Sequence, residues 1–431
     1  MIKRLRDTLI VLLVGLLICA GAFVSDKHLK PFENQIYDVM MRVSAQPFEG
    51  SDLIMLVDVD EASLDRVGQW PWPRNRLATI VERVNAGGAL VLVFDMFFSE
   101  PDRMSPDQVL SEMQHAGNYV AVNDGIPLSY DRLFAEAIRG GPVVLGQNSL
   151  IDDRVLRTDP TTSRMLQRRP TINLISTDPA MEIDGPPQAA PALQGVLSNI
   201  AALDEAATGI GVVTLPPDTD GISRAMPLVF RYEDQTLPSL ALEALRVALQ
   251  SRGQLVRFDQ SGISKVIVQG RLGTLPISTD RNGRLWVRFP TLREGRLRYF
   301  DVVPAAAILR DDFDPQIFRN RVVVFGSSAA GLYDLKSTPL GAQAKLPGMD
   351  LQALTMHQAV AGEMIKLLDV TGWELLAALV FLIYALVLLP RLPSLLNSAL
   401  WLVTLGAAVS IQLWFFISQS TYLSLLNILI F

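Results

Sequence analysis

The sequence predicts an α/β fold in which a mixed or mostly parallel sheet is flanked by helices and placed between membrane-spanning helices. The apolar run at residues 90–94 has the continuous pattern of a strand that is buried on both faces, and residues 52–60 predict a strand with acids at its exit. A helical stripe between them, at residues 77–84, ends just before Gly87. Long charge-free stretches lie at both ends of the chain, and their length is typical of membrane segments.

Composition limits the classes of protein to which the chain can belong. Of its 431 residues, 49% are hydrophobic, and the apolar excess is concentrated at the two ends. The net charge of −6 argues against a nucleic-acid partner, because such partners select basic surfaces. Cys19 is the single cysteine and lies in the first apolar run, so the polar middle has no disulfide, zinc–thiolate site or cysteine nucleophile. This cysteine usage suits an oxidising compartment.

The amino terminus, residues 1–24, predicts a membrane anchor. Basic residues at positions 3, 4 and 6 precede a charge-free stretch at 9–24, which approaches the length of about 17–25 residues that a spanning helix needs. The alternative is a cleaved signal peptide, since Ala-Gly-Ala at 20–22 resembles a small-residue cleavage site. We favour the anchor because more membrane segments follow. Both interpretations export the next part of the chain, because basic residues remain on the cytoplasmic side.

The folded middle, residues 25–372, alternates strands and helices. Strands are expected at residues 52–60, 90–94, 142–146, 209–215, 225–231 and 321–325, with further short strands inside 266–289. Helices are expected at 129–139, 239–249, 302–309 and 347–361, and at 77–84 after Pro73, which suits the first position of a helix. The strand at 90–94 is expected to return parallel to the strand at 52–60. Residues 151–191 are polar and aperiodic, so we expect a long loop there.

The carboxyl-terminal region, residues 373–431, predicts three further membrane helices. Residues 373–389 and 395–417 would each span once, on either side of a Pro-Arg-Leu-Pro turn. Residues 422–431 begin a third helix, but ten helical residues cover only about 15 Å of a hydrocarbon core about 30 Å thick. We therefore expect this last helix to be incomplete and the protein to continue past Phe431. From a cytoplasmic start, the middle would lie outside, Arg391 inside, and the continuation in the cytoplasm.

Several separated motifs in the chain, taken together, point to one family. They are Val-Asp-Val-Asp-Glu-Ala-Ser-Leu at 57–64, Gly-Gln-Trp-Pro-Trp-Pro-Arg at 68–74, Val-Phe-Asp-Met-Phe-Phe-Ser-Glu-Pro-Asp at 93–102, Asp-Thr-Asp-Gly-Ile-Ser-Arg-Ala-Met-Pro at 218–227, Val-Val-Val-Phe-Gly-Ser-Ser-Ala-Ala-Gly-Leu-Tyr-Asp-Leu-Lys-Ser-Thr-Pro at 322–339, and Pro-Gly-Met-Asp at 347–350. In this order they resemble the second type of CHASE domain, the cyclase/histidine-kinase-associated sensory extracellular domain. The resemblance extends over nearly the whole chain.

This resemblance implies the input region of a bacterial receptor in the inner (cytoplasmic) membrane, with its large domain on the extracytoplasmic side. Family members control cytoplasmic outputs that include class III nucleotide cyclases, histidine kinases, serine/threonine kinases and cyclic-dinucleotide enzymes. We expect an adenylate or guanylate cyclase past the end of this chain, with a histidine kinase as the nearest alternative. The expected partners are the lipid bilayer, a second copy of the chain in a homodimer, and an unidentified small-molecule or protein ligand outside the membrane.

Functions of another class stay open at this stage. An exported, membrane-anchored enzyme would need a catalytic motif, and the sequence contains no Gly-x-Ser-x-Gly elbow and no His-Glu-x-x-His. A carboxylate pair such as Asp58 and Asp95 would still permit acid–base chemistry. A scaffold for a membrane complex is the third interpretation. We assign no catalytic residue, metal ligand or cofactor to this segment.

Acidic residues at the predicted strand ends are the first candidates for a ligand site. Asp58, Asp60, Asp95, Glu100 and Asp102 are expected at the carboxyl edge of adjacent strands, where open α/β sheets bind ligands. Clustered carboxylates would bind a hard cation or a cationic ligand. In the alternative that we favour, they cap helices and turns or pair with nearby arginines, because no calcium-loop spacing is present.

A tryptophan–proline loop gives the second candidate. Trp70, Trp72 and Arg74 would form an aromatic wall with a cationic tip for a planar or anionic ligand, or a folding clamp in which Arg74 pairs with Asp95. The glycine-rich residues 326–331 either present backbone N–H groups to an anion or form a tight turn, which we favour. The complete set of ligand-binding candidates is Asp58, Asp60, Trp70, Trp72, Arg74, Asp95, Glu100, Asp102, Asp220, Arg224 and Asp334.

The three histidines are far apart in sequence and show no metal-ligand spacing. His28 and His357 lie near the predicted membrane segments, where either would serve as a pH sensor. The alternative, which is the more common case, is a surface histidine without a function. His115 lies in a part of the chain that has no counterpart in the motifs above.

Overall fold

The computed structural model describes residues 26–48, 50–116, 129–150, 172–179, 183, 185–291, 299–332, 335–368 and 391–423. The chain divides into two compact units. The first unit comprises Met1–Gln46, Pro339–Gly341 and Ile365–Phe431, and the second comprises Pro47–Thr338 and Ala342–Met364.

The helices and strands alternate along most of the chain. The helices are α1 (Asp26–Ser44), α2 (Glu61–Val67), α3 (Arg74–Ala86), α4 (Pro106–His115), α5 (Tyr130–Arg139), α6 (Ala201–Ala206), α7 (Leu240–Ala248), α8 (Ala305–Ile308), α9 (Gly348–Ala361) and α10 (Ser394–Gln419). The strands are β1 (Ile54–Val59), β2 (Val91–Phe94), β3 (Val143–Leu150), β4 (Ile172–Ser176), β5 (Gly195–Leu197), β6 (Gly209–Val212), β7 (Ala225–Pro227), β8 (Val229–Tyr232), β9 (Gln235–Pro238), β10 (Gln254–Asp259), β11 (Gly262–Gly270), β12 (Gly273–Ser278), β13 (Arg284–Trp286), β14 (Asp301–Pro304), β15 (Val322–Ser327), β16 (Leu335–Thr338), β17 (Gly341–Pro347), β18 (Lys366–Leu368) and β19 (Thr421–Leu423).

A seven-stranded, mostly parallel sheet is the centre of the second unit. Its strands follow the order β14-β1-β15-β2-β3, with β6 parallel to β3 and β5 antiparallel to the far end of β3. This arrangement confirms the predicted α/β fold with a mixed sheet flanked by helices. As predicted, β2 runs parallel to β1, but β15 lies between them and pairs with both. The expectation that β1 and β2 are adjacent is therefore wrong, because the chain inserts a later strand at the centre.

Apolar side chains on both faces of the central strands bury the sheet. Every residue of β1 and β2 is buried. On one face, α3 packs its predicted stripe against a cluster of rings in which Phe94 lies 5.0 Å from Phe325 and 5.8 Å from Phe134. Full burial of one such side chain contributes about 1.5–3 kcal/mol. The stripe explains why α3 forms here, and helix α3 begins at Arg74, directly after Pro73.

A four-stranded sheet, in the order β12-β11-β10-β4, forms a second layer of the same unit. Strand β4 lies within residues 151–191, where a long loop was predicted, so the prediction is wrong for Ile172–Ser176. The alternation in β4 is weak because only Ile172 is fully buried, and the strand is stabilised by parallel pairing with the distant β10. Local sequence carries little signal for such an edge strand.

Two other segments, each predicted as one continuous element, form two separate elements in the structure. Residues 302–309, expected to be one helix, form the end of β14 and then the short helix α8, with Pro304 at the junction. Residues 225–231, expected to be one strand, form β7 and most of β8. In both places proline or a change of pairing partner interrupts a run that looks continuous in sequence.

The first unit contains α1, α10 and the short parallel pair β18–β19. Tyr37 of α1 makes edge-on contacts with Phe416, at 5.8 Å, and with Tyr422, at 5.4 Å. Among the described residues, α10 is the one helix that is long and apolar enough to cross a membrane, with a mean hydropathy of 1.9. It corresponds to the span predicted at 395–417.

The other predicted membrane segments fall wholly or largely outside the described residues. Residues 9–24 and 373–389 lie outside the described residues, as do residues 424–431. The start of the last predicted helix is wrong, because Tyr422 and Leu423 belong to β19 and pair with β18.

Gly211, at the end of β6, offers a test of this packing. A Cβ added there would lie 2.5 Å from Cα of Leu240, whereas one added at Gly331 meets nothing within 4 Å. We expect Gly211→Ala to lower the free energy of unfolding by about 1–3 kcal/mol, because overpacking displaces α7. The matched Gly331→Ala variant should unfold like the wild type in urea. Equal stability of the two variants would contradict the close approach of β6 and α7.

Candidate functional site

A cavity of about 490 Å³ opens at the carboxyl edge of the parallel sheet. Parallel pairing brings the ends of β15, β2, β3 and β6 to this edge, which is where ligands bind in open α/β sheets. We name it the edge cavity and define it by its polar lining residues and by three apolar ones. They are Asp95, Asn148, Thr214, Ser327 and Lys336, together with Trp70, Phe97 and Leu332.

Asp95 lies directly after β2, where the sequence predicted it. Its backbone N–H donates to the carbonyl of Phe325 at 2.9 Å, so the pairing of β2 with β15 extends by one residue. This bond fixes the Asp95 backbone at the strand end while its half-buried side chain lines the edge cavity. The sequence therefore located one carboxylate of the cavity correctly in space.

Asn148 and Thr214 contribute an oriented amide to the cavity. The Thr214 hydroxyl accepts from the Ser149 N–H at 2.9 Å and donates to Oδ1 of Asn148 at 2.8 Å. Because the oxygen of the amide is held in this way, its Nδ2 is turned away from Thr214, and it makes no hydrogen bond with the described residues. Asn148 thus presents donors to the cavity. Sequence reasoning missed both residues, although Asn148 follows the strand predicted at 142–146 and Thr214 lies near the end of the strand predicted at 209–215.

The glycine-rich loop after β15 is closed by the protein's own carboxylates. The Ser328 N–H and hydroxyl donate to Asp58 at 2.8 and 2.6 Å, and the Ala330 N–H donates to Glu61 at 2.9 Å. The Ala329 N–H donates to the hydroxyl of Ser327. These N–H groups are thus bound internally, so the loop is a tight turn and not an anion site. Asp58, a predicted ligand candidate, is fully buried in this role.

A second concavity, of about 610 Å³, is lined by residues 69–72, 74, 77 and 96–104, and we name it the tryptophan groove. Five predicted candidates line it: Trp70, Trp72, Arg74, Glu100 and Asp102. Trp70 also lines the edge cavity, so its ring is a wall of both. The lining of the tryptophan groove therefore contains the predicted tryptophan–arginine site and two of the predicted acids.

Arg74 is held by internal contacts beneath the tryptophan groove. Its guanidinium donates to the Asp131 carboxylate and to the carbonyl of Glu100, and it lies 5.3 Å from the Phe98 ring centroid. Its backbone N–H donates to Asp102 at 2.7 Å. The carboxylate partner is thus Asp131, and the predicted pairing with Asp95 is wrong. Asp131 was missed because it lies in the first turn of α5, where an acid is expected for helix capping alone.

The two tryptophans differ in burial and role. Trp72 is 2% exposed, and its Nε1–H donates to the carbonyl of Gly68 at 2.7 Å. Trp70 is partly exposed, packs edge-on against Trp72 at 5.6 Å and approaches Phe325 at 6.4 Å. Trp72 therefore packs in the core, and Trp70 is the ring that faces both cavities.

The remaining candidates lie apart from the edge cavity. Asp60 caps α2 by accepting from the Ser63 N–H at 2.8 Å, and Glu100 pairs with Arg103 on the surface. Asp220 binds the buried Arg224 through both oxygens, at 2.9 and 2.7 Å. These hydrogen bonds hold the pKa of Asp220 below its ordinary value. Asp334 lies outside the described residues.

The acidic candidates do not assemble into one cluster. Within the described ranges, no group of three or more His, Cys, Asp or Glu side chains is placed to hold a metal ion. The predicted convergence therefore holds for the strand ends as a region, but the side chains take separate internal partners. Asp95 is the acid among them that lines the edge cavity.

His357, one of the two candidate pH sensors, is largely enclosed by aromatic rings. Its ring lies edge-on to Phe48 at 4.8 Å and to Phe300 at 6.2 Å, and Nε2 is 3.7 Å from Glu363. Burial lowers the pKa of His357 from its ordinary value, and Glu363 opposes this only in part. The side chain of His28 lies outside the described residues, and His115 is exposed on α4.

The buried pair of Arg74 and Asp131 predicts a large effect of mutation. Arg74→Met should lower the free energy of unfolding by about 3–5 kcal/mol, because it leaves the Asp131 carboxylate buried without its cation. The matched Arg103→Met variant, which breaks an exposed ion pair, should change it by less than about 0.5 kcal/mol. Urea denaturation measures both. Equal losses would show that Arg74 is no more important than a surface arginine.

The environment of His357 predicts a pH dependence of stability. Because its folded-state pKa lies below the ordinary value of 6.5, the unfolded chain binds the proton first as pH falls from 7 towards 5. The wild type should therefore lose stability over this window, and His357→Gln should lose less. Thermal melting at several pH values gives the comparison, with His115→Gln as the control that keeps the wild-type slope. Identical slopes for wild type and His357→Gln would refute this assignment.

Comparison with known proteins assigns the family. The family model of the CHASE2 domain matches residues 9–389. No curated protein and no solved structure matches the chain. The match spans the whole second unit, including both cavities, and it agrees with the motifs at the ends of β1, β2 and β15. The chain belongs to the CHASE2 domain family, whose members are extracellular sensory domains of signal-transduction receptors.

Proposed function

We propose that this chain is the extracytoplasmic sensor and transmembrane region of a bacterial signal-transduction receptor in the cytoplasmic membrane. The match of the CHASE2 family to residues 9–389 is the observation that carries the proposal, because this family is sensory. The edge cavity supports it by supplying a place for a small ligand. A cavity of this size lies within the range of about 300–1,000 Å³ that is typical of ligand sites.

A membrane location is supported by the surface of α10. At 26 residues the helix is about 39 Å long, which exceeds a hydrocarbon core of about 30 Å. Its apolar side chains are exposed, with Leu395 at 83% and Leu402 at 70%. Such a surface is stable in lipid and unfavourable in water. Together with the apolar segments at 9–24 and 373–389, it supports the proposal of a multi-pass topology in which the second unit is outside and Arg391 is inside.

Helix α9 connects the edge cavity with the predicted membrane segments along the chain. Its first residue, Gly348, lines the cavity, and the next, Met349, packs against Gly326 of β15. The helix ends at Ala361, and the predicted span at 373–389 follows in sequence. A ligand that binds two states of the cavity unequally would shift α9 and, through it, the membrane segments.

The output of the receptor would lie past Phe431 in the cytoplasm. We propose a class III nucleotide cyclase, with a histidine kinase as the alternative, and a homodimer as the working assembly. These choices rest on what CHASE-type domains are joined to, and a further membrane segment after α10 would return the chain to the cytoplasm.

Sequencing the gene past Phe431 tests this proposal. We expect the reading frame to encode a further membrane segment and then a class III cyclase catalytic domain. A kinase domain at that position would show that the output is the alternative one, and it would leave the receptor assignment unchanged. A stop codon within a few residues would contradict the receptor, because the sensor would then have no output on its own chain.

A further inference from the structure

We infer that helix α1 pairs with α1 of a second copy of this chain through an exposed apolar stripe. This inference rests on the proposed function, in which a homodimer is the working assembly, and it names the surface that joins the two copies. Four side chains on one face of the helix form the stripe, and they are Phe32, Ile36, Val39 and Val43. We name this set the α1 stripe.

The burial of α1 is the reverse of that of a surface helix in water. Its inner face packs within the first unit, where Tyr37 is buried against Phe416 and Tyr422. The polar residues Asn34 and Asp38 are buried as well. A helix at the surface of a soluble protein buries its apolar side chains and exposes its polar ones. On α1 these polar groups are covered, whereas the apolar stripe is not.

The α1 stripe is exposed along its whole length. Phe32 is 59% exposed, Val39 51% and Val43 67%, and Ile36 is partly exposed. Single apolar side chains on a surface are common, but a contiguous row of them is typical of an interaction surface. The row extends over about 17 Å of helix, at a rise of about 1.5 Å per residue.

The spacing of the stripe is that of a seam between two helices. Its residues follow one another at intervals of four, three and four, so they occupy alternating d and a positions of a heptad. They fall within about 60° of the helix circumference, whereas a helix that faces a protein core buries an apolar face of about 100° or more. Ile36 and Val43, at the a positions, are β-branched, and β-branched residues at a favour two-stranded pairing.

The residues beside the stripe favour a second copy over lipid. Gln35 and Arg42 are exposed along one border, and Arg42 directly precedes Val43 in sequence. A face that lies in hydrocarbon has to be apolar over a wide arc, because an amide or a guanidinium is costly there. A seam between helices needs apolar residues at a and d alone, and it accepts polar residues at the flanking positions.

The same spacing continues upstream in the sequence. The preceding a and d positions are 11, 15, 18, 22, 25 and 29, and none of them carries a charge. They cross the predicted membrane anchor at 9–24, where positions 15 and 22 are glycine and alanine. Small residues of this kind allow two helices to approach closely in lipid. Two anchors inserted in the same direction would bring the two copies of α1 together in parallel.

The stripe is small, so the pairing depends on the membrane. Stable interfaces in solution bury about 1,200–2,000 Å² in total, which is more than four side chains from each copy supply. Chains that are anchored in one bilayer with a common orientation meet at a high effective concentration, so a smaller contact suffices. We therefore expect the pairing in membranes and test it there.

Disulfide crosslinking of the full chain in membranes tests the inference. Single cysteines replace Phe32, Val39 or Val43 in a Cys19→Ser background. Lys30→Cys is the matched control, because Lys30 is exposed and lies about 160° from Phe32 around the helix. In a parallel pair, residues at a and d face their own counterparts. After mild oxidation we expect about fivefold or more covalent dimer from each stripe variant than from the control, since a disulfide requires Cβ atoms about 3.5–4.5 Å apart.

Two results would overturn the inference. Equal amounts of covalent dimer in the stripe variants and in Lys30→Cys would show random collision in the membrane. No dimer in any stripe variant would show that lipid or another part of the same chain covers the stripe. Dimer from Val39→Cys without dimer from Phe32→Cys and Val43→Cys would contradict parallel pairing along the stripe.

Energy transfer between two copies with fluorescent tags at the amino terminus gives an independent readout. Val39→Asp should reduce transfer about fivefold or more, because pairing would bury its carboxylate against that of the second copy. Lys30→Asp is the control and should leave transfer unchanged. Both positions are exposed on α1, so an unchanged melting midpoint establishes that each variant is folded. Neither readout uses an output domain, so a failure of the pairing is distinct from a failure of the receptor assignment.

Discussion

Parallel pairing of β1, β15, β2, β3 and β6 is the constraint on which the rest of the second unit depends. Strands that run in one direction must all end at one edge, so residues far apart in sequence meet there. Asp58, Asp95, Asn148 and Ser327 lie in or directly after the carboxyl-terminal parts of β1, β2, β3 and β15, and the parallel pairing of these strands places them along one edge. The edge cavity is the space that these strand ends enclose.

Internal hydrogen bonding fixes several of the charged groups near the sheet edge and the tryptophan groove. Asp58 and Glu61 bind the N–H groups of the loop after β15, and Asp131 holds Arg74. A buried carboxylate or guanidinium without such a partner would be strongly unfavourable, so these groups stabilise the fold. The edge cavity combines a small polar set with apolar walls, which is a composition typical of small-molecule sites.

The sequence predicted the elements that show a strong period and missed those whose stability is non-local. Strands β1, β2 and β15 and helices α3, α5, α7 and α9 lie where apolar runs and stripes indicated. Strand β4 was missed because it is stabilised by pairing with β10, and β10 comes much later in the sequence, after β5 to β9. Among the residues that line the edge cavity, Asp95 was a candidate because of its place after a strand, whereas Lys336, in β16, was not among the candidates. Pair partners such as Asp131 cannot be read from sequence, because an acid in a first helical turn already has a local explanation.

The proposed receptor has an open cavity at the sheet edge, on the outer side of the membrane. Labelling of Asn148→Cys, in a Cys19→Ser background, by a membrane-impermeant maleimide on spheroplasts tests it directly. The account predicts labelling of intact spheroplasts at Asn148→Cys and at the exposed surface position Ser261→Cys, while Arg391→Cys reacts only after lysis. Labelling of Asn148→Cys only after lysis would contradict the orientation. Labelling of Ser261→Cys but not of Asn148→Cys, even after lysis, would contradict an accessible edge cavity.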